Sequence, residues 1–257
     1  MRPVTLSERL RTVAGMVTVG NVVCDVGCDH GFVPIYLVQQ GISPKVVAMD
    51  LREGPLRAAR EHVAAYGLEG QITTRLSDGL HNFKKDEADT LICAGMGGGL
   101  MTRILNEDRE KTDSFQELIL QPQSEIEKFR RFLRESGYRI LDEEMVEEDG
   151  KFYQAIRAAG ADSGERGKET RMDEAFGGAD DDAEGMNGKL CKLNDRYGPV
   201  LLQKKTPVFF EFLEREAALY ETILFQLRAQ GLEDDKRKAR FAQMEELLAD
   251  NRRAREL

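Results

Sequence analysis

No apolar run in the sequence approaches the length of a membrane span, which excludes a chain threaded through a bilayer by helices. No charged-then-apolar leader follows Met1, so a cytoplasmic protein is the expectation. Cysteine is sparse, at 4 residues (Cys24, Cys28, Cys93 and Cys191), and two of these lie beside expected strand ends; that usage suits free thiols in a reducing compartment better than a disulfide framework. Cys24, Cys28 and His30 cluster, but no second ligand pair accompanies them, since His62 and His81 are scattered and Cys93 falls within an expected strand. No metal is expected. A G-x-S-x-G elbow is absent as well, which removes the usual serine hydrolase reading.

Positive charge is also short. A net charge of -9 argues at first against a nucleic-acid partner, because phosphate binding draws on Lys and Arg. The distribution weakens that objection: Gly160 to Gly188 holds nine acids against three bases, about two thirds of the excess, in a stretch with neither helical nor strand period. It reads as a flexible acidic loop at 160–188, between a domain at 1–159 and a helical domain at 189–257.

What is present centres on Val22 to Gly31, an apolar run that ends at Asp25 and breaks into a glycine-bearing turn. Before it, Thr5 and Glu8 have capping-box spacing, and Leu6, Leu10, Val13, Ala14 and Val17 share a helical face. After it, Pro34 suits the first turn of a helix. Strands are expected at Lys45–Asp50, Gln71–Leu76, Ala88–Ala94 and Glu117–Leu120, with a helix opening at Gly54-Pro55. The fourth strand is expected to end in the turn Gly95-Met96-Gly97-Gly98-Gly99. Ser124 and Glu127 suggest another capping box, before a helix stopped by Gly137. The runs Tyr138–Val146 and Phe152–Ala158 then read as an antiparallel hairpin at the sheet edge. Seven strands with helices between the early ones give an α/β fold, a Rossmann-like class I methyltransferase sheet that is mostly parallel with an antiparallel edge hairpin. From Pro207 onward, three-and-four spacing predicts two long helices folded back as a coiled-coil-like hairpin around Gln230-Gly231.

In an open α/β sheet, ligands lie at the carboxyl ends of the strands. The first turn reads Asp25-x-Gly27-x-x-x-Gly31, with Asp29 where a dinucleotide fingerprint has its second glycine, so a pyrophosphate grip is disfavoured. S-adenosyl-L-methionine has no phosphate, and its amino-acid tail and sulfonium suit an acid and bare backbone. Asp50, with Leu51 after it, is placed to take two ribose hydroxyls; Ser77-Asp78-Gly79 can hold an adenine amino group. Four glycines in the five positions from Gly95 require a close approach by a ligand or by backbone.

The stretches Leu6-Ser7-x-Arg9-Leu10, Asp25-x-Gly27-x-Asp29-His30, Ala94-Gly95-Met96-Gly97-Gly98, Leu120-Gln121-Pro122 and Glu147-Glu148-Asp149-Gly150-Lys151 together resemble the bacterial tRNA (adenine-22-N1)-methyltransferase family, TrmK. Cys28 stands where that family usually has a small residue such as Ser, and Asp50 where it commonly has Glu. The resemblance implies S-adenosylmethionine-dependent methylation of N1 of adenosine 22 in tRNA. Asp29 and His30 are then the catalytic candidates, with binding of the donor's amino group as the other role open to Asp29, and the cofactor residues are Asp25, Gly27, Cys28, Gly31, Asp50, Leu51, Ser77, Asp78, Gly79, Ala94, Gly95 and Met96. Candidates toward the tRNA are Arg9, Arg11, Gly97, Gly98, Gln121, Pro122, Lys204 and Lys205, with further cations at Arg52, Arg57, Arg60, Lys128 to Arg134 and Lys236 to Arg240. A monomer is expected. The competing readings are the same fold acting on a small molecule or a protein, and a non-catalytic adaptor; binding of the methyl donor separates the last from the others.

Overall fold

Alternation along the strands decides how the first part of the chain packs. The computed structural model describes residues 3–160, 184–231 and 234–257, and the chain divides into two units, Met1–Ala175 and Phe176–Leu257. In the first unit, β1 (Val23–Val26), β2 (Val46–Asp50), β3 (Ile72–Leu76), β4 (Thr90–Met96), β5 (Glu117–Pro122), β6 (Arg139–Glu148) and β7 (Lys151–Ala159) form one sheet in the order β3-β2-β1-β4-β5-β7-β6. The five strands from β3 to β5 are parallel, and β7 runs antiparallel to both β5 and β6.

Val23, Ala48, Ile92 and Ile119 face one side of the sheet. There they pack with Val13 of α1 (Glu8–Gly15), Ile35 and Leu37 of α2 (Phe32–Gln39), and Leu56, Ala59 and Val63 of α3 (Glu53–Ala65). Their neighbours Cys24, Met49, Leu91, Cys93, Leu118 and Leu120 face the other side. These meet Met101, Ile104 and Leu105 of α4 (Gly98–Glu107), and Phe129 and Leu133 of α6 (Ile126–Glu135). Helices on both faces explain why β1, β2, β4 and β5 are mainly apolar, whereas the edge strand β3 carries Thr73, Thr74 and Arg75.

Two expected caps are replaced. Helix α1 is capped by Ser7, whose hydroxyl accepts the Leu10 amide at 3.4 Å, while the Glu8 amide donates to Glu148 Oε1 at 2.7 Å; Thr5 takes no part. Helix α6 has no capping box, because Glu125 stands at its N-cap in the left-handed region, φ 53°. Helix α4 and the short α5 (Arg109–Thr112) were hidden by the glycines read as one long turn; β4 in fact runs through Gly95 to Met96, and Gly98 is already helical. Asp149 and Gly150 both have positive φ, 52° and 77°, so the β6–β7 hairpin turns as its sequence predicts.

Inside the first unit, Arg130 of α6 donates to Glu143 Oε1 of β6 at 2.7 Å and to Gln154 Oε1 of β7 at 2.6 Å, with Arg130 and Glu143 essentially fully buried. Arg130 therefore leaves the set of surface cations in which the sequence had placed it.

The second unit contains α7 (Glu184–Tyr197), α8 (Pro199–Lys204), α9 (Pro207–Ala229) and α10 (Asp235–Glu256). Residues 184–188, expected in the acidic loop, are helical; residues 161–183 of that loop lie outside the described residues. Thr206 caps α9 through the Phe209 amide at 3.3 Å, with Pro207 at its first position. Partners fall along α9 as they rise along α10, from Arg228–Glu245 through Glu221–Arg252 to Glu214–Arg255, so the pair is antiparallel as expected. Between them Ala217, Tyr220, Leu224 and Leu227 pack on Met244 and Leu248. No described helix is long and apolar enough to cross a membrane.

Candidate active site

The turn after β1 alternates through the left-handed region at Gly27 (φ 79°), Asp29 (φ 49°) and Gly31 (φ 75°). Asp tolerates that region better than most side chains, which is how Asp29 can stand in a fingerprint glycine's place. The turn is tied to β2: the Gly27 and Cys28 amides donate to the Met49 carbonyl at 2.8 and 2.9 Å, and the Asp29 amide donates to Asp50 Oδ2 at 3.1 Å. Asp50 Oδ1 accepts the Arg52 amide at 2.9 Å. Gly31 starts α2, and a Cβ there would sit 3.0 Å from the Ala59 Cβ of α3.

Asp25 is buried near the end of β1, and no hydrogen bond from the described residues reaches its carboxyl. Burial, with the Asp50 carboxylate adding to it, pushes its pKa up to about 7. Burial likewise pushes the Cys24, Cys28 and Cys93 thiols up, so these are protonated, inert groups. All four cysteines are free. Among the described residues no cluster of three His, Cys, Asp or Glu is arranged to hold a metal ion.

Beyond β3, the Ser77 hydroxyl donates to the Gly79 carbonyl at 2.9 Å and accepts the Asn82 amide at 3.0 Å, folding the turn that presents Asp78. Asp78 pairs at 3.1 Å with Arg103 of α4, a partner the sequence did not suggest. Leu51, just past β2, is 60% exposed. Asp29 and His30 are both exposed and their side chains lie 3.6 Å apart. Behind His30, Phe32 stacks on His62 at 4.7 Å, and His62 Nδ1 bonds the His30 carbonyl at 2.9 Å; an aromatic directly after the glycine turn was the available signal.

The far side of the site is built by the ends of β4 and β5. Gly95 sits at a bulge and donates its amide to Gln121 Oε1 at 3.1 Å, while Met96 folds back so far that a Cβ on Gly27 would lie 2.2 Å from its Cε. Gly98 meets backbone: its amide donates to the Ser124 carbonyl at 3.0 Å, and a Cβ would come within 2.7 Å of that oxygen. Arg9 of α1 donates to the same Gln121 Oε1 at 2.8 Å and lies over the Tyr153 ring. The fold thus brings Arg9 to Gly95 and Gln121, beside Pro122, but leaves Arg11 on the surface, paired with Glu8 at 3.4 Å. Lys204 and Lys205 belong to the second unit, where Lys205 ends α8 in the left-handed region.

Residues 6–156 match the family model described as a methyltransferase domain. The tRNA (adenine(22)-N(1))-methyltransferase of Bacillus subtilis is 34% identical over 252 residues, 97% of this chain and 98% of that one. The chain belongs to this methyltransferase family. The crystal structure of the B. subtilis M1A22 tRNA methyltransferase TrmK superposes with a TM-score of 0.78 at 30% identity, over 98% of this chain and 99% of that one. A Streptococcus pneumoniae relative in complex with S-adenosyl-L-methionine gives a TM-score of 0.75 at 29% identity, over 97% and 99%.

Proposed function

We propose that this chain methylates N1 of adenosine 22 in tRNA, using S-adenosylmethionine as the methyl donor. The observation that carries the reading is the Asp25 carboxyl, buried beside Asp50 with no donor from the described residues, where a cationic ligand would complete it. Asp25 would take the donor's ammonium group. Asp50 would accept the ribose hydroxyls while keeping the Asp29 and Arg52 amides, and Asp78 would take the adenine amino group in exchange for part of its pairing with Arg103. Leu51 offers an apolar cover for the adenine, and Gly27, Cys28, Gly31, Ser77, Gly79 and Ala94 supply backbone and shape.

The donor, when bound, supplies an electrophilic methyl group on a sulfonium. Adenine N1 already carries a lone pair at neutral pH, so no strong base is required of the protein. Its residues have to align the base, exclude water and offer negative charge near the cation forming on the ring. Asp29 supplies that charge, with His30 beside it and the Gly95–Gly98 backbone shaping the adenine slot. Because N1 is on the pairing edge, the target base must be unpaired or flipped to react. Pro122, Lys204 and Lys205 are further candidates toward the RNA. The reading includes a cytoplasmic monomer; free thiols suit a reducing compartment. Incubation with labelled donor tests the reading on two substrates, an unaltered tRNA and one with guanosine in place of adenosine 22. Label enters the first and not the second, and equal labelling of both refutes the reading.

A further inference from the structure

Most guanidinium groups in the first unit answer to a carboxylate: Arg75 to Glu87, Arg103 to Asp78, Arg130 to Glu143. Arg9 does not. It is half-buried, its Nη1 is spent on the neutral Gln121 amide oxygen, its Cζ lies 5.4 Å from the Tyr153 ring centroid, and no acid among the described residues pairs with it. A cation held this firmly, with Nε and Nη2 donating to no described residue, is presented for an external anion. That anion is not the reacting base. Methyl transfer moves positive charge onto adenine, and a guanidinium facing N1 would oppose it. The anions an RNA offers are its phosphodiesters.

We propose that Arg9, presented by Gln121 and Tyr153, binds a backbone phosphate next to the target adenosine and so sets the register of that nucleotide over the end of β4. The proposal rests on the methyltransferase reading. Gln121 gives the register its reference point: the oxygen that holds Arg9 also holds the Gly95 amide, and the next residue, Met96, packs on Gly27 of the donor turn. Arg9 is thus a substrate-binding residue, and Gln121 a positioning residue that acts through it.

The test measures tRNA binding across a salt series together with steady-state methyl transfer for the wild type, R9Q, R9K and Q121M. R9Q is expected to raise KM for tRNA about tenfold and to lower the slope of log K against log salt by about one, with donor affinity unchanged. R9K keeps the charge and therefore the slope, but its KM rises because an ammonium cannot both bond Gln121 and lie on Tyr153. Q121M raises KM in the same direction. An unchanged slope and KM in R9Q overturns the proposal, as does a loss confined to donor affinity. Should R9Q fail to fold, R9K decides: wild-type KM in that variant is the overturning result. A wild type that makes no methyladenosine speaks against the methyltransferase reading instead, whereas the salt slope speaks to Arg9 alone.

Discussion

The carboxylate of Asp50, two residues along β2 from Ala48, which pairs with Asp25 of β1, helps to raise the pKa of Asp25 after burial has done most of the work. Folding therefore places an uncompensated acid inside the sheet, poised to ionise near neutrality. Since its folded pKa of about 7 lies above the ordinary carboxyl value, the folded state holds the proton more tightly. Asp25 consequently costs stability progressively as pH rises from about 4 to about 7, and the full cost is present above that.

The first prediction follows from that sign. A cationic donor binds the ionised form, so affinity for S-adenosylmethionine should rise between pH 6 and 8 with a midpoint near 7, with proton uptake by buffer visible in calorimetry. Asp25→Asn should weaken donor binding by about tenfold or more, flatten the pH profile and raise the melting temperature at pH 8. A pH-dependent D25N would assign the titration to another group.

The second concerns two glycines that look alike in sequence. Gly98→Ala forces a Cβ against the Ser124 carbonyl and the Phe129 Cβ, and should destabilise the protein by about 1–3 kcal/mol in urea unfolding. Gly27→Ala meets only the flexible end of the Met96 side chain but must hold φ 79°. Its expected effect is a loss of donor affinity of about tenfold or more with a smaller change in stability. Equal stability losses with unaltered binding in both would contradict the division between a packing glycine and a site glycine.

The third addresses the buried Arg130–Glu143 pair. Glu143→Leu leaves a guanidinium without its carboxylate in the core and should cost about 3–5 kcal/mol, while adding Arg130→Met should recover much of that loss. The double variant should bind the donor normally. An additive double-mutant cycle would mean that the two side chains are not coupled.

These residues also show what the sequence could disclose. Local chemistry was readable: Asp25-x-Gly27, the acid closing β2, and Asp149-Gly150, whose two left-handed residues make a hairpin turn almost regardless of context. Features set by distant packing were hidden. Gly98 is glycine because the chain 26 residues later lies against it, and so the first two residues of α4 were placed in a turn. The Ser124–Glu127 spacing predicted a cap, but Glu125 takes a left-handed conformation at the helix start and displaces it. Arg130 sits among charged neighbours in sequence, and its burial depends on partners 13 and 24 positions away. Arg9 and Gln121 are separated by 112 positions; pattern named both as candidates, but their shared oxygen with Gly95 exists only in the fold.

The most direct test of the central claim is to treat unmodified tRNA with the purified protein and S-adenosylmethionine and to map the methylated nucleoside by digestion and mass spectrometry. The predicted result is 1-methyladenosine at position 22 and nowhere else; a methyl group on another atom or position, or none at all, would contradict it.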